Sequence, residues 1–202
     1  MKPAEIKRIG LFGGTFDPIH LGHLIVAEAL REKCSLDIIF FIPTGHHALK
    51  DTRHITPPAH RLRMLELAVE DNPHFVVNDL EINRNGVSFT IDTIKVLNKK
   101  YPPAQYQLCF LVGSDIVNEF HRWKNPDALL KLCKFIAFGR EGAEIDPKAK
   151  YASSFRFISV PGIEISASDI RRRVFAGKSI RYLVPPSVRN YIKQHALYQN
   201  HL

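Results

Sequence analysis

Residues 9–30, Ile9-Gly10-Leu11-Phe12-Gly13-Gly14-Thr15-Phe16-Asp17-Pro18-Ile19-His20-Leu21-Gly22-His23-Leu24-Ile25-Val26-Ala27-Glu28-Ala29-Leu30, join a strand, a turn and a helix in one run. Ile9-Gly10-Leu11-Phe12 has the unbroken apolar character of a short buried strand, and Leu24 to Leu30 has helical composition and spacing. Between them lies a turn rich in glycine with two histidines three residues apart. In an open α/β sheet, strand carboxyl ends and helix amino ends meet at such a junction, and ligands bind there. Backbone N–H groups at the helix start favour an anion. Gly13 and Gly14 let a phosphate or sugar approach the main chain, and Thr15 adds a hydroxyl. His20 and His23, on the first helical turn, would project from one face toward one ligand. The run points to a phosphate-bearing ligand, with an ordinary tight turn and two satisfied histidines as the plainer reading. Neither the G-x-G-x-x-G fingerprint nor the G-x-x-x-x-G-K-[ST] loop is present, which argues against a dehydrogenase or an ordinary kinase.

The rest of the chain continues the alternation. Strands are predicted at Asp37–Pro43, Phe75–Val77, Gln107–Val112 and Lys134–Phe138, with a last one over Phe157–Val160. Helices are predicted over Arg61–Val69, Thr90–Lys100 and Asp127–Leu132, then from Ser166 to about Ala176 and from Ser187 to about His195. The segment after Pro43 up to about Pro58, and Gly139–Phe155, read as polar loops. Strands alternating with helices favour a parallel sheet covered on both faces.

The 202 residues suit one domain, 1–202, ending in a helical segment over 166–202. With 45% hydrophobic and 24% charged residues, the composition is that of a folded globular protein. No apolar run is long enough to span a bilayer and the start lacks a signal-peptide core, so no membrane is expected and the cytoplasm is the expected location. Cys34, Cys109 and Cys133 are widely separated in apolar surroundings and read as buried thiols. The net charge of +8 fits nucleic acid or small polyanions equally. From Ser166 onward, Arg171, Arg172, Arg173, Lys178, Arg181, Arg189 and Lys193 face Asp169 alone, so the carboxyl end is basic.

The string G-G-T-F-D-P-I-H-L-G-H-L resembles the signature of the nucleotidyltransferase superfamily that carries an H-x-G-H motif. Ser88-Phe89-Thr90-Ile91-Asp92-Thr93, Val112-Gly113-Ser114-Asp115, Trp123 and Ile165-Ser166-Ala167-Ser168-Asp169-Ile170-Arg171 follow in the order seen in bacterial nicotinate mononucleotide adenylyltransferases. The similarity spans nearly the whole chain. It implies an α/β, Rossmann-like doubly wound parallel sheet with a small helical C-terminal part. It also implies transfer of AMP from ATP to nicotinate mononucleotide, giving deamido-NAD and pyrophosphate in NAD biosynthesis. Such a transfer needs positioning and charge stabilisation and no protein nucleophile, which matches a site of N–H groups, imidazoles and cations. The phosphate acceptor is already ionised near neutral pH and needs no general base.

On this resemblance His20, His23 and Arg171 are the catalytic residues, stabilising charge in the transition state. ATP would be bound by Gly13, Gly14, Thr15, Phe16, His20, His23, Val112, Gly113, Asp115, Arg140, Ser166, Ser168 and Arg171. The acceptor would meet Asp17, Thr44, Lys50, Ser88, Phe89, Thr90 and Trp123, with Trp123 on the pyridine ring and the Ser88–Thr90 amides on the nicotinate carboxylate. Mg²⁺ is expected to arrive with ATP, and no metal site of the protein's own is expected; His46, His47, His54 and His60 read as solvated loop histidines. The chain departs from the family pattern at Ala167, which removes a hydroxyl, at Phe89 where tyrosine is common, and at R-E-G in place of R-P-G after Gly139. It departs most in the 47–50 loop, where only Lys50 of P-P-H-K remains. The competing readings are an adenylyltransferase for nicotinamide mononucleotide or, less so, phosphopantetheine, and a noncatalytic nucleotide- or RNA-binding module. The first reading needs no nucleic-acid partner and leaves homo-oligomerisation open.

Overall fold

A computed structural model of the chain describes residues 6–47, 55–84, 86–139, 146 and 148–199, with the backbone alone at His46 and His47. Lys50, His54 and Arg140 therefore lie outside the described residues, as do the side chains of His46 and His47.

Six strands form one all-parallel sheet: β1 (Lys7–Gly14), β2 (Ile38–Pro43), β4 (Phe75–Val77), β6 (Tyr106–Gly113), β7 (Lys134–Gly139) and β8 (Phe155–Ser159). Their order is β4-β2-β1-β6-β7-β8. The chain winds outward from β1 in one direction through β2 and β4, then crosses to β6 and winds the other way. The crevice at the carboxyl ends of β1 and β6 is thus the topological switch point, where an open α/β sheet receives ligands. This is the Rossmann-like doubly wound fold expected from the alternation.

The central strands β1, β2, β6 and β7 are apolar over most of their length because both faces are buried there, and successive side chains feed different cores. Phe12, Ile39, Phe41 and Leu111 point into a core shared with α1 (Leu21–Lys33), α2 (Pro58–Val69), α6 (Ala167–Phe175) and α7 (Pro186–Gln194). Ile9, Leu11, Phe40, Ile42 and Phe110 point into the opposite core with α3 (Thr90–Lys100), α4 (Asp115–Glu119) and α5 (Pro126–Leu132). The C-terminal helices therefore belong to the same face as α1. Among the described residues no helix is long and apolar enough to cross a membrane.

Several elements differ from the sequence expectation. The loop after β2 contains a two-residue strand, β3 (His46–His47), paired in parallel with β5 (Val87–Ser88); pairs this short carry no periodicity. The last strand starts two residues earlier than predicted, and Tyr151, in the stretch read as surface loop, is buried against Phe120. Asp115–Glu119 and a 3₁₀ turn over Phe120–Arg122 were not foreseen, because five residues are too few to show a helical stripe. Phe120, completely buried, meets Trp123, Phe135, Tyr151 and Phe155 and anchors that turn.

Candidate active site

His20 and His23 cap α1 reciprocally. His20 is the N-cap in extended conformation (φ −144°), and its Nδ1 accepts from the His23 backbone N–H at 3.4 Å; the His23 Nδ1 accepts from the His20 backbone N–H at 3.3 Å. This is a capping box built from two imidazoles in place of the usual hydroxyl and carboxylate. Each Nδ1 receives a hydrogen from an amide that has no alternative role as acceptor, so each neutral ring carries its own proton on Nε2. The rings stack at 3.6 Å with 23° between their planes. The result is a parallel pair of Nε2–H donors held by the backbone.

Burial keeps the pair neutral: it lowers His20 to about 4 and His23 to about 3, the second helped by the charge of His20. His23 also meets the edge of Phe16 at 5.2 Å and Phe12 at 6.2 Å, ring centre to ring centre. Gly22 makes the stack fit, because a Cβ there would lie 3.1 Å from His20 Nδ1 and 3.2 Å from its Cε1. Gly22→Ala should therefore tilt His20 out of register and lower kcat about tenfold, a factor consistent with misplacing a positioned group by a fraction of an ångström. A kcat within twofold of wild type, with the fold intact, would refute the requirement for that fit.

The anion cradle expected at the start of α1 is narrowed to the Gly22 N–H of the first turn. The Leu21 N–H donates to Leu183 O at 2.9 Å and the His23 N–H is taken by His20. The imidazole Nε2–H groups add two further donors at this turn, and Gly13, at the end of β1, is exposed.

The side chains of Phe16 and Val112, both among the expected ATP contacts, face inward. The Phe16 side chain is core, 3% exposed and packed on Phe12 and Phe41, and Val112 is buried in the opposite core, so only their backbones could meet a nucleotide. Gly113 and Asp115, by contrast, line a cleft of about 420 Å³ at the ends of β6 and β7, together with Val26, Phe138, Pro161 and Ile163.

Asp17 is likewise no surface contact. Its carboxylate is 3% exposed and accepts from the Tyr198 hydroxyl at 2.7 Å and from the Thr56 N–H at 3.1 Å, so both oxygens are engaged within the protein. Its backbone carbonyl accepts from Arg171 Nη1 at 2.6 Å. Arg171 Nη2 donates to the Ser168 hydroxyl at 3.2 Å, and Ser166 caps α6 by accepting from the Asp169 N–H at 3.1 Å. Ser166 and Ser168 thus shape the start of α6 and orient Arg171. A guanidinium has five N–H donors, so these two bonds leave others for a phosphate.

Sequence reading missed Arg61, which it treated as one helix former among several. Arg61 is 1% exposed and donates to three backbone carbonyls: Thr15 at 2.7 Å, Thr44 at 2.8 Å and Thr56 at 3.0 Å. It fastens the turn after β1, the turn after β2 and the entry to α2 to one planar group. Thr44, assigned to the acceptor, is held on both sides, since its N–H donates to Gly14 O at 2.9 Å. Burial pulls the Arg61 pKa down, opposed by the charge of Asp17. The only available signal was an arginine in an apolar helical stripe, which solvated arginines also produce.

At the other end of the crevice, Thr90 begins α3 with Phe89 at the N-cap and no side chain capping the helix. Asp92 N–H and Thr93 N–H return to Phe89 O, so the amides of Thr90 and Ile91 open the helix. Lys124 Nζ lies 4.0 Å above the Phe89 ring and 3.7 Å from Asp92, which adds a cation that sequence reading had not picked out. Trp123 is half-buried and edge-on to Phe110 at 5.8 Å, so part of its ring serves the core.

Among the described residues no group of three or more His, Cys, Asp and Glu could hold a metal ion. With Asp17 committed to Tyr198 and Thr56, the described site offers no carboxylate cage for Mg²⁺. His60 makes a 3.0 Å hydrogen bond with the Tyr191 hydroxyl. The three cysteines are buried and unpaired, and burial raises each thiol, Cys109 to about 11.

The cytidylyltransferase-like family model matches residues 11–173. A probable nicotinate-nucleotide adenylyltransferase of Desulfitobacterium hafniense is 43% identical, covering 97% of this chain and 98% of the relative. One from a Thermoanaerobacter species is 44% identical over 95% and 94%. Among solved structures, nicotinic acid mononucleotide adenylyltransferase of Plasmodium falciparum complexed with NaAD superposes with a TM-score of 0.80 at 22% identity, covering 96% of this chain and 98% of that one.

Proposed function

This chain belongs to the cytidylyltransferase-like family, among its nicotinate-nucleotide adenylyltransferases, and we propose that it transfers AMP from ATP to nicotinate mononucleotide, with the reaction carried by the stacked His20–His23 pair. An oxygen of the acceptor phosphate forms a bond to the α-phosphorus of ATP, the bond from that phosphorus to the β-bridging oxygen breaks, and pyrophosphate leaves with the electron pair. Deamido-NAD is the other product. No proton must be removed from an ionised phosphate, so neutral imidazoles serve as donors and not as bases.

The observation that carries this reading is the pair of backbone-fixed Nε2–H donors at the switch point, tied through Asp17 to Arg171. Donors fixed before reaction need no reorganisation as charge builds on the leaving pyrophosphate. The 420 Å³ cleft beside Gly113 and Asp115 supports an adenosine subsite, with Asp115 as acceptor for ribose hydroxyls. The opening amides of α3 support a carboxylate subsite for the acceptor, with Trp123 beside it. Mg²⁺ would enter on the ATP phosphates, using their oxygens and water, and would neutralise charge there.

The test is pyrophosphate release from Mg-ATP with nicotinate mononucleotide or nicotinamide mononucleotide as acceptor, the dinucleotide being identified by mass. The acid should be preferred at least about tenfold in kcat/KM, since a charged acceptor on helix-start amides gains about 1.5 kcal/mol or more over a neutral one. Equal use of both would leave the transfer standing and remove the carboxylate subsite. Absence of turnover with either acceptor would refute the proposal.

A further inference from the structure

We propose that Tyr198, in the C-terminal tail, is a positioning residue for the transfer reaction: through Asp17 it sets the guanidinium of Arg171 against the triphosphate. This rests on the functional reading above. The tail after α7 turns back toward the β1–α1 junction, and Tyr198 adopts a positive φ of 65° on the way. Its hydroxyl then donates to Asp17 Oδ1 at 2.7 Å, across 181 residues of sequence. Thr56 N–H holds the other carboxylate oxygen at 3.1 Å.

With both oxygens restrained, the Asp17 residue cannot swing, and its carbonyl presents one fixed acceptor to Arg171 Nη1 at 2.6 Å. The second anchor of the guanidinium, Ser168, lies one turn back on the same helix at 3.2 Å and moves with it. Among the described residues, the hydrogen bond that relates Arg171 to the histidine turn is the one to the Asp17 carbonyl. Tyr198 therefore couples the two phosphate-facing elements, which come from opposite ends of the chain. Burial, and then the neighbouring Asp17 carboxylate, push the phenol pKa up, so Tyr198 remains a donor across the working pH range.

The experiment is a double-mutant cycle of Tyr198→Phe and Arg171→Ala. It is read by ATP affinity in calorimetry without acceptor, by kcat and KM for each substrate, and by the melting temperature. Tyr198→Phe keeps the ring and its packing and removes the hydroxyl with its bonds to Asp17 and to the Thr56 side chain. It should lower kcat/KM for ATP and weaken ATP binding about tenfold, the worth of one charge-assisted bond. KM for nicotinate mononucleotide should stay within twofold, and the second substitution should cost nothing further once Arg171 is gone. Equal losses with and without Arg171, or an unchanged ATP affinity in Tyr198→Phe, would overturn the proposal and leave Tyr198 a packing residue. Because calorimetry needs no acceptor, it decides the role of Tyr198 even if the acceptor proves to be something else. Should Tyr198→Phe melt early, Asp17→Asn, which weakens the same acceptor without emptying the site, must show the same dependence on Arg171.

Discussion

His20→Ala should lower kcat by a factor of about 10²–10³ while the protein stays folded. That range is the usual consequence of deleting one preorganised donor from a site of developing charge. His20 supplies one of two Nε2–H groups, and its removal also takes the stacking partner from the His23 ring, while the residue 20 backbone N–H that holds His23 Nδ1 remains. The structural cost is smaller: loss of an N-cap is worth about 1 kcal/mol, and the one capping bond removed is long at 3.4 Å. Steady-state kinetics beside a melting curve separates the two effects. Turnover within threefold of wild type would remove His20 from the machinery.

The same residue predicts an acid response. An unfolded histidine titrates near 6.5, whereas burial holds native His20 to about 4 and His23 to about 3. Above pH 6.5 neither state takes up these protons and their contribution to stability is complete. Below pH 6.5 the unfolded chain protonates first, so stability falls until the native rings protonate in turn. For buried His20 alone the loss by pH 4 is on the order of 3 kcal/mol. Stability measured by denaturant between pH 7 and 4 should fall less steeply in His20→Ala than in wild type. Parallel slopes would show that the ring is not held neutral by burial.

Arg61→Met should be the most destabilising single change at the site, by about 3–5 kcal/mol, because it strands buried partners while filling similar space. The carbonyls of Thr15, Thr44 and Thr56 lose their donor together, and the buried Asp17 carboxylate loses a nearby cation. For a chain of this length the melting temperature should drop by about 10 °C. Arg61→Lys should recover only part of this, since an ammonium lacks the planar fork that reaches three acceptors at once. A drop of less than about 3 °C for Arg61→Met would mean that the three turns are held by other contacts.

Much of the architecture was legible locally. Thr90–Lys100 is a helix with the bounds its composition predicts, and every long apolar run became a parallel strand, because burial on both faces removes polar alternation. The site was legible as a set of residue types around Gly13–His23 and Ser166–Arg171. The role of each residue was less so. Asp17 and Phe16 read as ligand contacts and turned inward, whereas Arg61 read as a helix former and became the fastener of three turns.

The sequence by itself determined the alternation of the long strands and helices, the parallel sheet and the place of the histidine turn at a strand end. Each of these follows from periodicity and turn chemistry within a few residues. Only the tertiary structure decided that the imidazoles share one tautomer, that Arg61 joins three turns, and that Arg171 and Tyr198 meet at Asp17 across 154 and 181 residues. Those contacts depend on which strands lie side by side and which helix face packs inward. Sheet order is fixed by the burial of the whole chain, and no local pattern of residues contains it.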